Sequence, residues 1–134
     1  MRTEFQFRSK KFNCTEQKDY FINPGCFGDD FSEWLIERLK NAGFQITSNP
    51  DQEDFGWYFT FLVQNVEHCV VVSFQPNEPE IGDRWVGWVE RHLGFIGSIL
   101  GGRKRGILPE AIQAVDSILT NSNEIRFIGW FDHA

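Results

Sequence analysis

Apolar and polar positions alternate most strictly between Gly56 and Gln75, and the rest of the chain is arranged about that stretch. From Gly56 to Gln64, Trp57, Phe59, Phe61 and Val63 fall on one side of a period-two pattern, and Tyr58, Thr60 and Leu62 on the other. From Cys69 to Gln75, Val70, Val72 and Phe74 alternate with Cys69, Val71, Ser73 and Gln75. Both segments are dense in aromatic and β-branched residues, which pack well on a pleated surface. One wholly apolar face marks an interior strand. The Gln64–His68 connection is short enough to join the two as an antiparallel hairpin.

The same reading extends outward. Residues 3 to 8 alternate as a half-buried strand that could run on to Phe12, with Lys10 and Lys11 near its end. Asn23-Pro24-Gly25 is turn chemistry. Phe31, Trp34, Leu35, Leu39 and Ala42 form one stripe of a helix, with Asp30 and Glu33 spaced as a capping box. Glu33 and Glu37 make its outer face partly acidic, and Gly43 suits its end. Phe44 to Thr47 reads as a short extended piece, and Ser48-Asn49-Pro50-Asp51 as a break. Residues 75 to 83 read as an exposed loop with two prolines and three acids.

Arg84 to Arg91 reads as another strand. Trp85, Gly87 and Val89 share one face and Val86, Trp88 and Glu90 the other. A glycine inside a strand signals close backbone approach. Pro109 suits the first position of a second helix with a stripe of Ile112, Val115, Ile118 and Leu119. Glu124 to Phe131 reads as a final strand. The order β, α, several strands, α, β predicts an α+β fold in a single domain over residues 1–134. It is a mostly antiparallel sheet of about five or six strands, with two helices packed on one face and the other face partly open.

Charge sharpens the choice of partner. The net charge is −6, and the excess lies in residues 51 to 100, which carry 8 acidic and 2 basic side chains. That balance argues against nucleic acid, whose phosphates require Lys and Arg, and fits a basic protein partner. No apolar run is long enough to span a bilayer, and no signal peptide opens the chain. Cys14, Cys26 and Cys69 show no CxxC spacing, so a reducing, cytoplasmic setting is the expectation. A Cys14–Cys26 pairing stays open. Fourteen Phe and five Trp exceed what a small core requires, so some rings are candidates for a contact surface.

Sites of chemistry are sparse. His68, His92 and His133 are far apart, and His68 and Cys69 point to opposite faces of a strand, so no metal or other cofactor is expected. Cys26, just before a helix, is the one candidate nucleophile. Glu53-Asp54 and the Glu78, Glu80, Asp83 group are acidic clusters in loops. Gly101-Gly102-Arg103-Lys104-Arg105-Gly106 places glycine beside three cations without the ending of a P-loop. Asp54-Phe55-Gly56 spells a kinase tripeptide in a chain too short for that fold.

The leading expectation is a non-enzymatic protein-binding domain, of immunity or inhibitor type, that neutralises a basic partner. Trp57, Trp85, Trp88, Glu78, Glu80 and Asp83 would form the contact surface. The alternative is a small-molecule or anion-binding domain. It would use residues 97 to 106, with Arg103, Lys104 and Arg105, and a Trp-lined sheet face.

Overall fold

The computed structural model describes residues 1–22, 25–53, 55–78, 82–92 and 106–133. Six strands form one sheet: β1 (Glu4–Arg8), β2 (Asp51–Glu53), β3 (Gly56–Val63), β4 (Val66–Glu78), β5 (Gly82–Arg91) and β6 (Arg126–Phe131). Among the described residues two helices accompany it, α1 (Asp29–Asn41) and α2 (Pro109–Asn121). The strand order is β2-β3-β4-β5-β1-β6, and every neighbouring pair is antiparallel. Strands β2 to β5 follow one another as hairpins. The chain's first strand is then inserted between β5 and β6.

The period-two pattern sets the core. Trp57 lies opposite Val72, Phe59 opposite Val70, Phe74 opposite Trp85 and Phe7 opposite Trp85. These side chains share the face that the helices cover, with α1 against β3, α2 against β6 and the helices against each other. Phe5, Phe7, Phe31, Phe59 and Phe61 are wholly buried there. Each such ring contributes about 1.5–3 kcal/mol of burial. The second face is not bare, since Thr60, Cys69, Val71 and Val86 are buried on it. The 57–75 hairpin is therefore apolar on both sides at its centre, as its mixed second face suggests.

Several boundaries differ from the sequence reading, each for a local reason. The β3–β4 connection is only Gln64-Asn65, both at positive φ (51° and 63°). Two left-handed residues match the twist of the flanking strands, so β4 begins three residues earlier than its apolar run. Residues 75 to 83 are not simply a loop. The pairing resumes at Glu78 with Gly82 after an irregularity following Gln75, which accommodates Pro76. The Ser48–Asp51 break is followed by β2, whose Asp-Gln-Glu sequence carries no apolar signal. Its Gln52 is buried, accepting from Ile22 N–H at 2.6 Å and donating to Cys26 O at 3.3 Å.

Asp30 does not cap α1. The helix starts two residues earlier than that cap implies, after Gly28, and no side chain caps it. Asp30 instead accepts from Asn13 N–H at 2.7 Å and Phe31 N–H at 2.9 Å, fastening the β1–α1 segment to the helix. At the other end, Gly43 N–H reaches Lys40 O and Phe44 N–H reaches Leu39 O, both at 3.0 Å, with Gly43 at φ 96°. That is the Schellman closure Gly43 suggests. In α2, Ala111, Val115 and Leu119 are the buried stripe, while Ile112 and Ile118 are partly covered. Among the described residues no helix is long and apolar enough to cross a membrane.

Candidate functional site

The tryptophans do not gather on one surface. Trp57 and Trp85 are 5% and 1% exposed, on the helix-covered face. Trp57 Nε1–H donates to Cys26 O at 2.8 Å, and Trp85 stacks parallel to Phe7 with ring centroids 6.1 Å apart. Trp88 is three residues from Trp85 in the same strand, which puts it on the opposite face. There it stacks on His133 at 4.4 Å and donates to Glu90 Oε1 at 2.6 Å. His133 in turn contacts Glu4 Oε1 at 3.1 Å. Trp130 Nε1–H donates to Asp116 Oδ1 at 2.8 Å, linking β6 to α2. An indole cluster facing one partner is thus replaced by rings spent on three separate tasks, and the expected contact set is divided.

The acidic group is likewise dispersed. Asp83 is exposed and, with Trp85, lines a cavity of about 710 Å3 at the end of the sheet. The Glu78 backbone pairs with Gly82, while the Glu78 side chain and the whole of Glu80 lie outside the described residues. Arg103, Lys104 and Arg105 lie outside them too. Cys14, Cys26 and Cys69 are free thiols. Burial, then the charges of Asp83 and Asp30, raises the Cys14 thiol above its ordinary value and keeps it protonated. His68 is fully buried in the core.

A different acidic site is assembled along α1. Asp29, Glu33 and Glu37 are spaced i, i+4, i+8 and so stand one above another on the helix. Together with Tyr20, Ile36 and Trp57 they line a groove of about 380 Å3 between α1 and the segment before β2. Glu33 and Glu37 also border a second groove of about 420 Å3 on the other side of α1, floored by Phe12 and Trp34. They form a ridge between two hollows. Neither makes an ion pair among the described residues. The nearby cations are otherwise engaged: Arg38 and Lys11 both bind Glu124, at 3.1 and 2.9 Å, and Arg38 lies over the Trp34 ring at 4.2 Å.

Asp29 is the unusual member. It opens α1, where the positive helix end favours a carboxylate. It is only 7% exposed. The Tyr20 hydroxyl donates to its Oδ2. Its Oδ1 is buried and meets no donor among the described residues. An unsatisfied buried acceptor of this kind costs about 1–3 kcal/mol or more. The bond to Asp29, burial and the neighbouring carboxylates push the Tyr20 phenol up to about 12. The sequence shows the acidic outer face at Glu33 and Glu37. It does not show Tyr20 or Asp29 joining them, because that depends on how residues 13 to 28 fold across the start of α1.

No protein-family model, curated protein or solved structure matches the chain.

Proposed function

We propose that this chain is a non-catalytic protein-binding domain of inhibitor or immunity type, which covers a basic surface of its partner by taking a cationic side chain into the α1 groove. The observation that carries this reading is the column of Asp29, Glu33 and Glu37 along one groove, with Asp29 Oδ1 at its end a buried oxygen that meets no donor among the described residues. A guanidinium is the best complement. It brings several N–H donors in a planar fork, pairs with carboxylates in bidentate fashion and stacks on an aromatic ring such as Tyr20. The hollows on both sides of the Glu33–Glu37 ridge support an extended protein surface over a single small cation. The overall charge of −6 would steer a basic partner towards contact.

A hexa-arginine peptide tests this against the full-length chain at low ionic strength, read by amide NMR shifts. The expected shifts concentrate at Tyr20, Asp29, Glu33 and Glu37. Glu33→Gln with Glu37→Gln, both exposed and replaceable without disturbing the core, should weaken binding about tenfold or more. Hexa-lysine should bind more weakly, because it lacks the planar fork. Shifts spread over the carboxylates of residues 51 to 90, with unchanged affinity in the double variant, would sink the proposal.

A further inference from the structure

We infer that the chain forms a two-fold dimer in which β6 of one copy pairs antiparallel with β6 of a second copy, joining the two sheets into one. β6 ends the sheet on one side and is paired with β1 on the other. Among the described residues its outer N–H and C=O groups meet no backbone partner. A strand in that state is a template for another strand. β6 is also the one strand without a buried residue among those described, although Phe127, Ile128, Trp130 and Phe131 are four of its six. Ile128 and Phe131 are 42% and 39% exposed. The opposite edge of the sheet is guarded. There β2 is three residues long and ends in Asp51 and Glu53, both exposed. One guarded edge and one open edge give a closed pair and not a fibre.

The sequence of β6 matches its own reverse. Trp130 donates to Asp116 of α2 and packs on the buried Phe5 ring at 5.5 Å, and Phe127 lies 6.4 Å from Trp130, so these two rings stand on the helix-covered face. Phe131 and Arg126 adjoin them in the strand and stand on the other face. Phe127 and Trp130 share a face at a spacing of three because Ile128 is an extra residue in the ladder, between Phe127 opposite Phe7 and Gly129 opposite Gln6. A two-fold axis between Ile128 and Gly129 places Phe127 opposite Trp130, Arg126 opposite Phe131 and Ile128 opposite Gly129. The ring and guanidinium pairs of this register each join residues of one face. A slip of one residue would set Trp130 against Arg126 or Phe127 against Phe131, which stand on opposite faces. The matched register pairs aromatic with aromatic and a guanidinium with a ring. Arg126 is the single charged residue of β6, and it does not face its own copy. Ile128 meets a glycine, which has no side chain to obstruct it.

Sedimentation equilibrium of the full-length chain, from about 1 μM to about 1 mM, tests this. The expected result is a mass that climbs from one chain to two and stops there, with amide exchange in β6 slowing over the same range. Ile128→Lys, at an exposed position, should weaken the dimer about tenfold or more by setting two cations beside the axis. Position 131 supplies a register-specific comparison, each contact occurring twice in the dimer. Phe131→Lys would face Arg126 of the second copy and weaken the dimer. Phe131→Glu would pair with that arginine and should dimerise about tenfold more tightly than the Lys variant. Within one chain the preference runs the other way, since position 131 lies opposite Glu4, so this order cannot come from damage to β6. A chain that stays monomeric throughout overturns the inference. So does a dimer that Ile128→Lys leaves intact, or one that forms equally well with Lys and Glu at position 131.

Discussion

Gly87 sits in β5 directly beneath the Phe5 ring. A Cβ at this position would lie 2.2 Å from the Phe5 ring edge and 2.7 Å from Val71 O. Neither can give way, since Phe5 is fully buried and Val71 O belongs to the adjacent strand. Gly87→Ala should therefore destabilise by about 1–3 kcal/mol, the usual cost of overpacking, as read from urea denaturation. Phe5→Leu in the same chain should recover part of that loss, giving a coupling term that two independent lesions would not show. The strand pattern of residues 84 to 91 makes this glycine legible in advance. The identity of the ring above it is not, because β1 and β5 are distant in sequence. Asp29 is the opposite case. As an acid next to a helix start it looks ordinary, and only Tyr20 folding over it reveals a buried carboxylate.

Helix α2 is anchored by a histidine that belongs to the sheet. His68 Nε2 accepts from the N–H of Leu108, the residue that precedes α2, at 3.1 Å. Nδ1 therefore carries the proton of the neutral ring, and it lies 3.0 Å from Val66 O. Burial lowers the imidazole below its ordinary value of 6.5; the bond to Val66 opposes the shift, and Arg91 across the ladder adds to it. With a folded value below the unfolded one, the unfolded chain binds the proton first. The stability tied to neutral His68 is full above about pH 6.5 and is lost as pH falls below it. Thermal melts should show the midpoint dropping from pH 6.5 downward. His68→Gln should flatten that slope while lowering stability at neutral pH by about 1–3 kcal/mol. Elements with strong periodicity, such as β3, β5 and both helices, are legible from sequence. β2 is not, because Asp-Gln-Glu pairs only through its backbone and one buried amide. The end of β4 is not, because Pro76 looks like a break.

The architecture as a whole was accessible from the order of its elements, since consecutive strands require only hairpins. The place of β1 inside the sheet was not, because no local pattern states which distant strand a segment will join.

That placement has a consequence for how the chain is made. The first strand leaves the ribosome long before either of its neighbours, since Glu4 must pair with both Trp88 and Phe131. The β2–β5 meander can assemble by itself, but β6 has no edge to dock on until β1 has returned to fill the gap. In a nascent chain β1 should therefore stay open to proteolysis until β5 has emerged, and β6 can close the sheet only after β1 has joined it.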